Sequence, residues 1–382
     1  MKGKAMLRWV FRQLLHEPFR TVLTGVAMAA ALSVVLLLEG FMTGLLVQMD
    51  GIAMHRGADL IVAQEGVRNF VGSRSLLPQL ARQEVEDIKG VKAAHPITML
   101  PVIYKKEGYR QAPVFFVVYD TGGGPYNIKE GKLSREPRQI VIDESLAVVY
   151  DLKVGDKFVV SDFEFQISGI AKQASALFTA FAFIYYDDMI DFFFDSDLVG
   201  DVSNLPLLSF LLVELEEGTN KTMIAAEIEQ LVKEADVFMP EEIAANDVQL
   251  GRALFGPVMN VLIAGGYLIT LLVVGMIMFA AVQSRMRSFG VIKALGFNNR
   301  DLIKGMVMES LIMMLLAFPL SILFAGIVSW VIEIRIPLYL VPVTDVPTLL
   351  RTFTGAMVVA LLGACLPFRT IAKLDAAVVF RG

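Results

Sequence analysis

The sequence predicts a membrane α-helical protein: four transmembrane helices plus a large mixed α/β extracytoplasmic domain inserted between the first and second helices. Three observations predict it. Of 382 residues, 55% are hydrophobic, and the mean hydropathy is +0.60. The apolar residues gather in four runs, each close to the roughly 20 residues that cross a bilayer. Between the first two runs, residues 48–256 carry 19 basic and 32 acidic residues, a composition no membrane interior accepts.

Residues 1–20 come first. In LRWVFRQLLHEPFR (Leu7–Arg20), Trp9, Val10, Phe11, Leu14 and Leu15 are interleaved with Arg8, Arg12, Gln13 and His16. That pattern predicts an interfacial amphipathic helix, after which Pro18 turns the chain into the membrane. Span one covers 21–47. It is too long for the core of a cleaved signal, about 7–15 residues, so it reads as a retained span that also exports the domain after it.

The inserted domain, 48–256, shows strand and helix signals in alternation. Ala58–Gln64 reads as a strand, and Gln79–Gly90 as a helix ended by Gly90. Lys92–Tyr104, Ala112–Tyr119 and Ile140–Ile142 are rich in β-branched and aromatic residues and read as strands. Thr121–Pro125, TGGGP, reads as a turn or flexible loop. Val154–Ala171 reads as a hairpin around Ser161–Asp162. Phe178–Tyr186 and Leu207–Glu214 are further strands, and Lys221–Glu234 is a helix with Ile224, Ile228, Leu231 and Val232 on one face.

Span two (257–282) leads to a loop (283–305), then span three (306–331). Next comes an outer loop (332–348), in which Pro337, Pro342 and Pro347 block regular helix. Span four (349–366) and a tail (367–382) complete the chain. Lys2, Lys4, Arg8, Arg12 and Arg20 flank span one; Arg285, Arg287, Lys293, Arg300 and Lys304 fill the 283–305 loop; Arg369, Lys373 and Arg381 lie in the tail. Basic residues near span ends stay cytoplasmic. Both termini and that loop are therefore predicted inside, and the acidic domain outside, of a cytoplasmic (inner) membrane.

Little in the chain points to catalysis. It has no GxxxxGK[ST], HExxH, CxxC or GxSxG pattern, so it is not expected to be an enzyme or to hold a cofactor or metal of its own. The lone Cys365 permits no intrachain disulfide and reads as a small apolar residue. His16, His55 and His95 are scattered. Asp187, Asp188, Asp191, Asp195 and Asp197 could offer oxygens to a divalent cation, but without ligand-loop spacing they read as a solvated acidic surface. Glu39 and Glu309 lie in or beside spans one and three, where ionisable residues are costly and often functional; an interfacial position explains each equally well. Small residues of span two (Ala264, Gly265, Gly266, Gly275, Ala280, Ala281) favour close helix packing. Four spans give too little wall for a polar path through one chain, which predicts a dimer. Membrane lipids are expected contacts; no nucleic acid is.

The loop holds the most informative stretch, SRMRSFGVIKALGFNNRDLIK (Ser284–Lys304). Phe289, Ile292, Leu295 and Phe297 are apolar, against polar Lys293, Asn298, Asn299 and Arg300. A short helix held there by two spans can be pushed or pulled by a partner.

These features together resemble the MacB/FtsX/LolC superfamily of ABC-type permeases. The likeness is carried by RMRSFGVIKALGF (Arg285–Phe297) with Asp301, Leu302 and Glu309 after it. It extends to the tail residues Pro367, Arg369, Ala372, Leu374, Asp375, Ala377 and Arg381, with Ala376 where the family usually has proline. GADLIV (Gly57–Val62) and IVIDESLAVVYDLKVGDKF (Ile140–Phe158) resemble the MacB and DevC outer domains. The layout is similar to the DevC and LolC branches, which lack a fused ATPase.

The resemblance implies a permease subunit that pairs with a second permease copy, identical or paralogous, and with a separate ABC ATPase that uses ATP and Mg. It also implies mechanotransmission, in which ATPase motion is passed along the helices to the outer domain. Arg285, Arg287, Phe289, Lys293, Leu295, Gly296, Phe297 and Asp301 would then form the ATPase-coupling helix. The cargo, exported or extracted, would be a lipid, lipoprotein, glycolipid, peptide or drug-like molecule, and a periplasmic adaptor of the membrane-fusion type is a further implied partner. FtsX-like relatives instead activate a cell-wall hydrolase without transport; the size of the inserted domain favours the transporter. The BceB-like branch has ten spans and fits less well.

Overall fold

Each apolar run folds as a single long helix. The computed structural model describes residues 17–71, 75–78, 80–172, 174–176, 178–195, 208–286, 288–289, 291 and 298–367. It divides into two units. One is helical and comprises the described residues up to Thr43, Gly256–Val331, and those from Val341 onward. The other is α/β and comprises Gly44–Phe255 with Ile332–Leu340.

Among the described residues, four helices are long and apolar enough to cross a membrane: α1 (Pro18–Met54), α6 (Pro240–Ser284), α7 (Asn299–Arg335) and α8 (Val346–Cys365). Pro18 opens α1, where its fixed φ and missing N–H cost nothing; the amphipathic segment expected before it lies mostly outside the described residues. Asp345 caps α8 by accepting from the Thr348 N–H at 3.2 Å, with Pro347 in the first turn. Pro257 and Pro319 sit inside α6 and α7 without ending either helix. The helical core is built from Met28, Leu32, Val274, Met278, Met313 and Ala360, among others.

All four helices outrun the spans expected from hydropathy. α1 continues past Val47 to Met54, α6 begins at Pro240 rather than near Pro257, α7 runs from Asn299 to Arg335 rather than 306–331, and α8 starts at Val346 rather than 349. Hydropathy falls in these extensions while helical periodicity continues. Ile52 and Ala53 of α1, with Ile243 and Ala244 of α6, bury against the domain sheet.

Among the described residues that sheet has eleven strands: β1 (Leu60–Gln64), β2 (Val91–Tyr104), β3 (Ala112–Tyr119), β4 (Ile128–Gly131), β5 (Gln139–Asp143), β6 (Lys157–Val160), β7 (Phe163–Ala171), β8 (Ser175–Ala176), β9 (Thr179–Tyr185), β10 (Phe210–Leu215) and β11 (Ala235–Phe238). Its order is β11-β1-β10-β2-β3-β9-β5-β7-β4, with β6 paired to β7 and β8 to β9. Long β2 joins the two halves. Its first part pairs with β10 (Ile97 opposite Phe210) and its second with β3 (Tyr104 opposite Ala112).

Both faces are covered, so the strands read as nearly continuous apolar runs. Leu60, Val62, Leu211 and Val213 pack under α2 (Ala81–Glu86) and α5 (Lys221–Leu231), meeting Val85, Ile224 and Ile228. On the opposite face, Ile61, Ile97, Val117, Phe181, Phe183 and Leu212 form the layer that receives the ends of α1 and α6. A third core packs Phe116, Phe158 and Phe165 with α3 (Glu144–Tyr150) and α4 (Tyr186–Asp195).

Local chemistry explains the turns. Ser161 and Asp162 have φ of 48° and 64°, the left-handed pair of a type I′ hairpin turn, between Val160 and its partner Phe163. In the TGGGP turn, a Cβ on Gly122 would lie 2.3 Å from the His95 ring, and one on Gly124 2.5 Å from the Tyr119 ring. The loop is pressed onto the sheet, and side chains do not fit there. Two helix ends differ from expectation. α2 stops at Glu86, and Gly90, at φ +99°, turns the chain into β2 instead. α5 stops at Leu231, where Val232 is already extended, and Glu234 at φ 60° turns the chain into β11 at Ala235.

Candidate coupling site at the ends of α6 and α7

The loop joining α6 to α7 is held at both ends by side chains read from the sequence. Arg285 follows the last residue of α6, and its Nη1 donates to Glu309 Oε1 of α7 at 2.7 Å. The two side chains are 13% and 7% exposed, so this is a buried ion pair on apolar helices. Glu309 therefore has a partner within the helical unit, which accounts for a carboxylate at that depth. Next to it, Arg20 of α1 donates to Ser284 Oγ of α6 at 2.7 Å and pairs with Glu17 at 3.1 Å. These contacts lace together the ends of α1, α6 and α7. A cavity of about 110 Å³ lies beside them, lined in part by Arg20, Thr24, Arg285 and Glu309.

Phe289 is 2% exposed, packed in the same core as Met28, Val282, Leu302 and Met306. Its ring ties the loop to the spans, so it is not presented for a partner's groove. No local pattern signals this, since a buried and a docking apolar residue look alike in sequence. Asp301 sits in the first turn of α7. Its Oδ2 accepts from the Asn298 N–H at 3.3 Å, and the Asp301 N–H donates to the Asn298 carbonyl at 2.9 Å. The Asp301 carboxylate supplies the side-chain half of a capping box, with a negative charge at the positive end of the helix dipole. Arg287, Lys293, Leu295, Gly296 and Phe297 lie outside the described residues.

Glu39 of α1, 13% exposed, is paired too, to Arg351 Nε of α8 at 3.3 Å. Arg351 also donates to Thr43 Oγ1 at 3.1 Å, and Thr43 and Thr348 share a 2.8 Å hydroxyl contact. A polar clamp thus joins α1 to α8. Sequence reasoning finds Glu39 but not its partner, because Arg351 reads as an ordinary basic residue near a span end.

Asp187, Asp191 and Asp195 of the acidic cluster are solvent-exposed, as expected, and Asp188 is buried. Asp187, Asp188, Asp191 and Asp195 lie on α4, and Asp197 lies outside the described residues. Asp188 is 3% exposed and accepts from the Arg138 N–H at 2.6 Å, while Asp195 pairs with the Arg138 guanidinium at 2.9 Å. Burial pushes the Asp188 carboxyl above the usual range. Asp188 is the one departure from the expected solvated surface among the described residues: with Asp195 it fastens Arg138, held at φ 60°, just before β5.

These sites are built of ion pairs, caps and helix contacts at the ends of the spans. Residues 21–231 match the MacB-like periplasmic core domain family, and residues 260–376 match the FtsX-like permease C-terminal family. An uncharacterized ABC transporter permease of Mycobacterium tuberculosis is 20% identical over 380 residues, covering 99% of this chain and 100% of its own length. One from Mycobacterium bovis is 22% identical over 396 residues, again covering 99% and 100%. The crystal structure of the periplasmic region of MacB from Actinobacillus actinomycetemcomitans superposes with a TM-score of 0.37 at 11% identity, covering 50% of this chain and 94% of that one.

Proposed function

The chain belongs to the MacB/FtsX/LolC superfamily of ABC transporter permeases, and on that premise we propose that it converts ATP-driven motion of a separate ATPase into movement of its inserted domain. ATP and Mg are used on the partner chain, and the permease works as a dimer with an identical or paralogous copy. The inserted domain lies outside the cytoplasmic membrane, and both termini lie inside, following the basic residues at the span ends. The cargo is an amphiphile or peptide extracted from the outer surface of that membrane, with an adaptor of the membrane-fusion type receiving it.

One observation carries this reading. α1 and α6 are unbroken from their apolar stretches to Ile52, Ala53, Ile243 and Ala244, which are buried on one face of the domain sheet. A continuous helix passes displacement from one end to the other, with Pro257 the place where α6 would bend. The other end of α6 enters the basic loop, tied to α7 by Arg285 and Glu309.

The test is co-purification. The tagged chain, extracted in mild detergent from its native host, brings down an ATPase at about one copy per permease. Leu295→Asp removes the ATPase while the thermal melting of the permease is unchanged. Retention of the ATPase by that variant, or its absence from the unaltered preparation even after crosslinking through a cysteine at position 295, defeats the reading.

A further inference from the structure

The α/β unit contains a cavity of about 80 Å³ at the end of α1. That is several times the roughly 10–15 Å³ that admits one water, which leaves room for a phosphate-sized group. Its lining is apolar at Val47, Ile52, Phe181 and Phe183 and cationic at Arg56 and Lys172, and no carboxylate lines it among the described residues.

Arg56 is held by neutral groups. Its Nε donates to the Ile52 carbonyl at 3.0 Å, its Nη1 to the Gly123 carbonyl at 2.9 Å, and its guanidinium lies 5.5 Å from the centre of the Phe183 ring. Neither Arg56 nor Lys172 has an ion-pair partner among the described residues. Burial pushes the Arg56 guanidinium down to about 10, with no neighbouring charge acting against it. Arg56 is only half-buried, so its desolvation is partial; a partly desolvated cation without a counter-charge is still unfavourable, and a bound anion reduces that penalty. The Gly122–Gly124 turn, pressed onto the sheet, is what brings the Gly123 carbonyl to Arg56 and so aims it. His55, stacked on Tyr126 at 4.3 Å, forms the rim.

Depth along α1 selects the kind of anion. The apolar run ends near Val47. At about 1.5 Å per helical residue, Gly51 lies about 6 Å and His55 about 12 Å beyond that point. The polar headgroup layer occupies roughly 5–8 Å on each side of the hydrocarbon. The cavity therefore begins at headgroup level beside Gly51 and rises past that layer to Arg56, about 13 Å beyond Val47, so that its occupant is drawn partly out of the bilayer.

We propose that the cavity binds the anionic headgroup of a membrane amphiphile, with Arg56 and Lys172 on the phosphate or carboxylate and Phe181 and Phe183 against its first carbons. The proposal names a ligand class for the permease and rests on the functional reading above only in that α1 leaves the bilayer near Val47. It predicts a preference for net negative headgroups, set by two cations from separate elements.

The test is calorimetric titration of the full chain in detergent with dihexanoylphosphatidylglycerol, its phosphatidylcholine counterpart, and inorganic phosphate. The phosphatidylglycerol binds at least tenfold more tightly than either of the others. Lys172→Glu, at an exposed position, weakens it at least tenfold with unchanged melting, and Arg56→Gln does the same. Equal binding of the two lipids, or undiminished affinity in Lys172→Glu, overturns the proposal. Phosphate binding as tightly as phosphatidylglycerol overturns the amphiphile in favour of a small-anion site. Because the titration contains no ATPase, its outcome is independent of co-purification.

Discussion

Arg285 and Glu309 illustrate how one pair of side chains carries both stability and coupling. Each alone is a charge on an apolar helix; together, at 2.7 Å and nearly unexposed, they satisfy one another. Removing one partner strands the other, which costs about 3–5 kcal/mol for a buried pair, whereas replacing both with apolar residues of similar volume is often neutral. Glu309→Ala is thus expected to lower the melting temperature of the detergent-purified chain markedly. The double replacement Arg285→Met with Glu309→Met should recover most of the loss. If the pair also transmits motion, the double variant melts normally but responds weakly to ATPase turnover. Equal melting of the single and double variants would mean that the contact is solvated and inert.

At the scale of elements, the close approach of α1 and α6 within the α/β unit depends on Gly251. A Cβ there would lie 2.3 Å from Met49 Sδ and 3.3 Å from Leu46 Cδ2. Gly251→Leu forces the two helices apart or their side chains off rotamer, at roughly 1–3 kcal/mol. A lower melting midpoint checks it, whereas Gly256→Ala, with nothing within 4 Å of its Cβ, should be silent. Elements differ in how legible they are in the sequence. The Ser161–Asp162 hairpin, β3 and the four spans are readable because turn chemistry or apolar length marks them locally. β4, β8, β11 and α3 are not: they are short, and only their pairing or packing within the finished sheet makes them regular. The extensions of α1 and α6 escape a hydropathy reading, which reports where lipid ends and not where a helix ends. In the site, Glu39, Glu309 and the basic loop announce themselves by charge in apolar surroundings. Arg351, Arg56 and the burial of Phe289 depend on contacts remote in sequence, which no local pattern encodes.

Across the whole molecule, the reading stands or falls on the stiffness of α1 and α6. Each joins an apolar stretch to the sheet face that buries Ile52, Ala53, Ile243 and Ala244, with no break in helical structure. A Gly-Ser-Gly-Ser insertion after Thr43 and another after Gly256 interrupt both helices at the division between the two units. Glycine and serine linkers behave as flexible coil, so the inserted chain still binds its ATPase, through a loop that neither insertion touches. The transmitted motion should vanish. Spin labels at Tyr126→Cys, an exposed position, in a Cys365→Ala background report the distance between the domains of two permease copies. With rigid helices, that distance shifts when ATP is added. With both linkers in place, ATP is hydrolysed and the distance distribution stays where it was. A shift that persists through the linkers would place the transmission elsewhere, in α7 and α8, whose polar contacts at Glu309 and Arg351 would then be the parts that move.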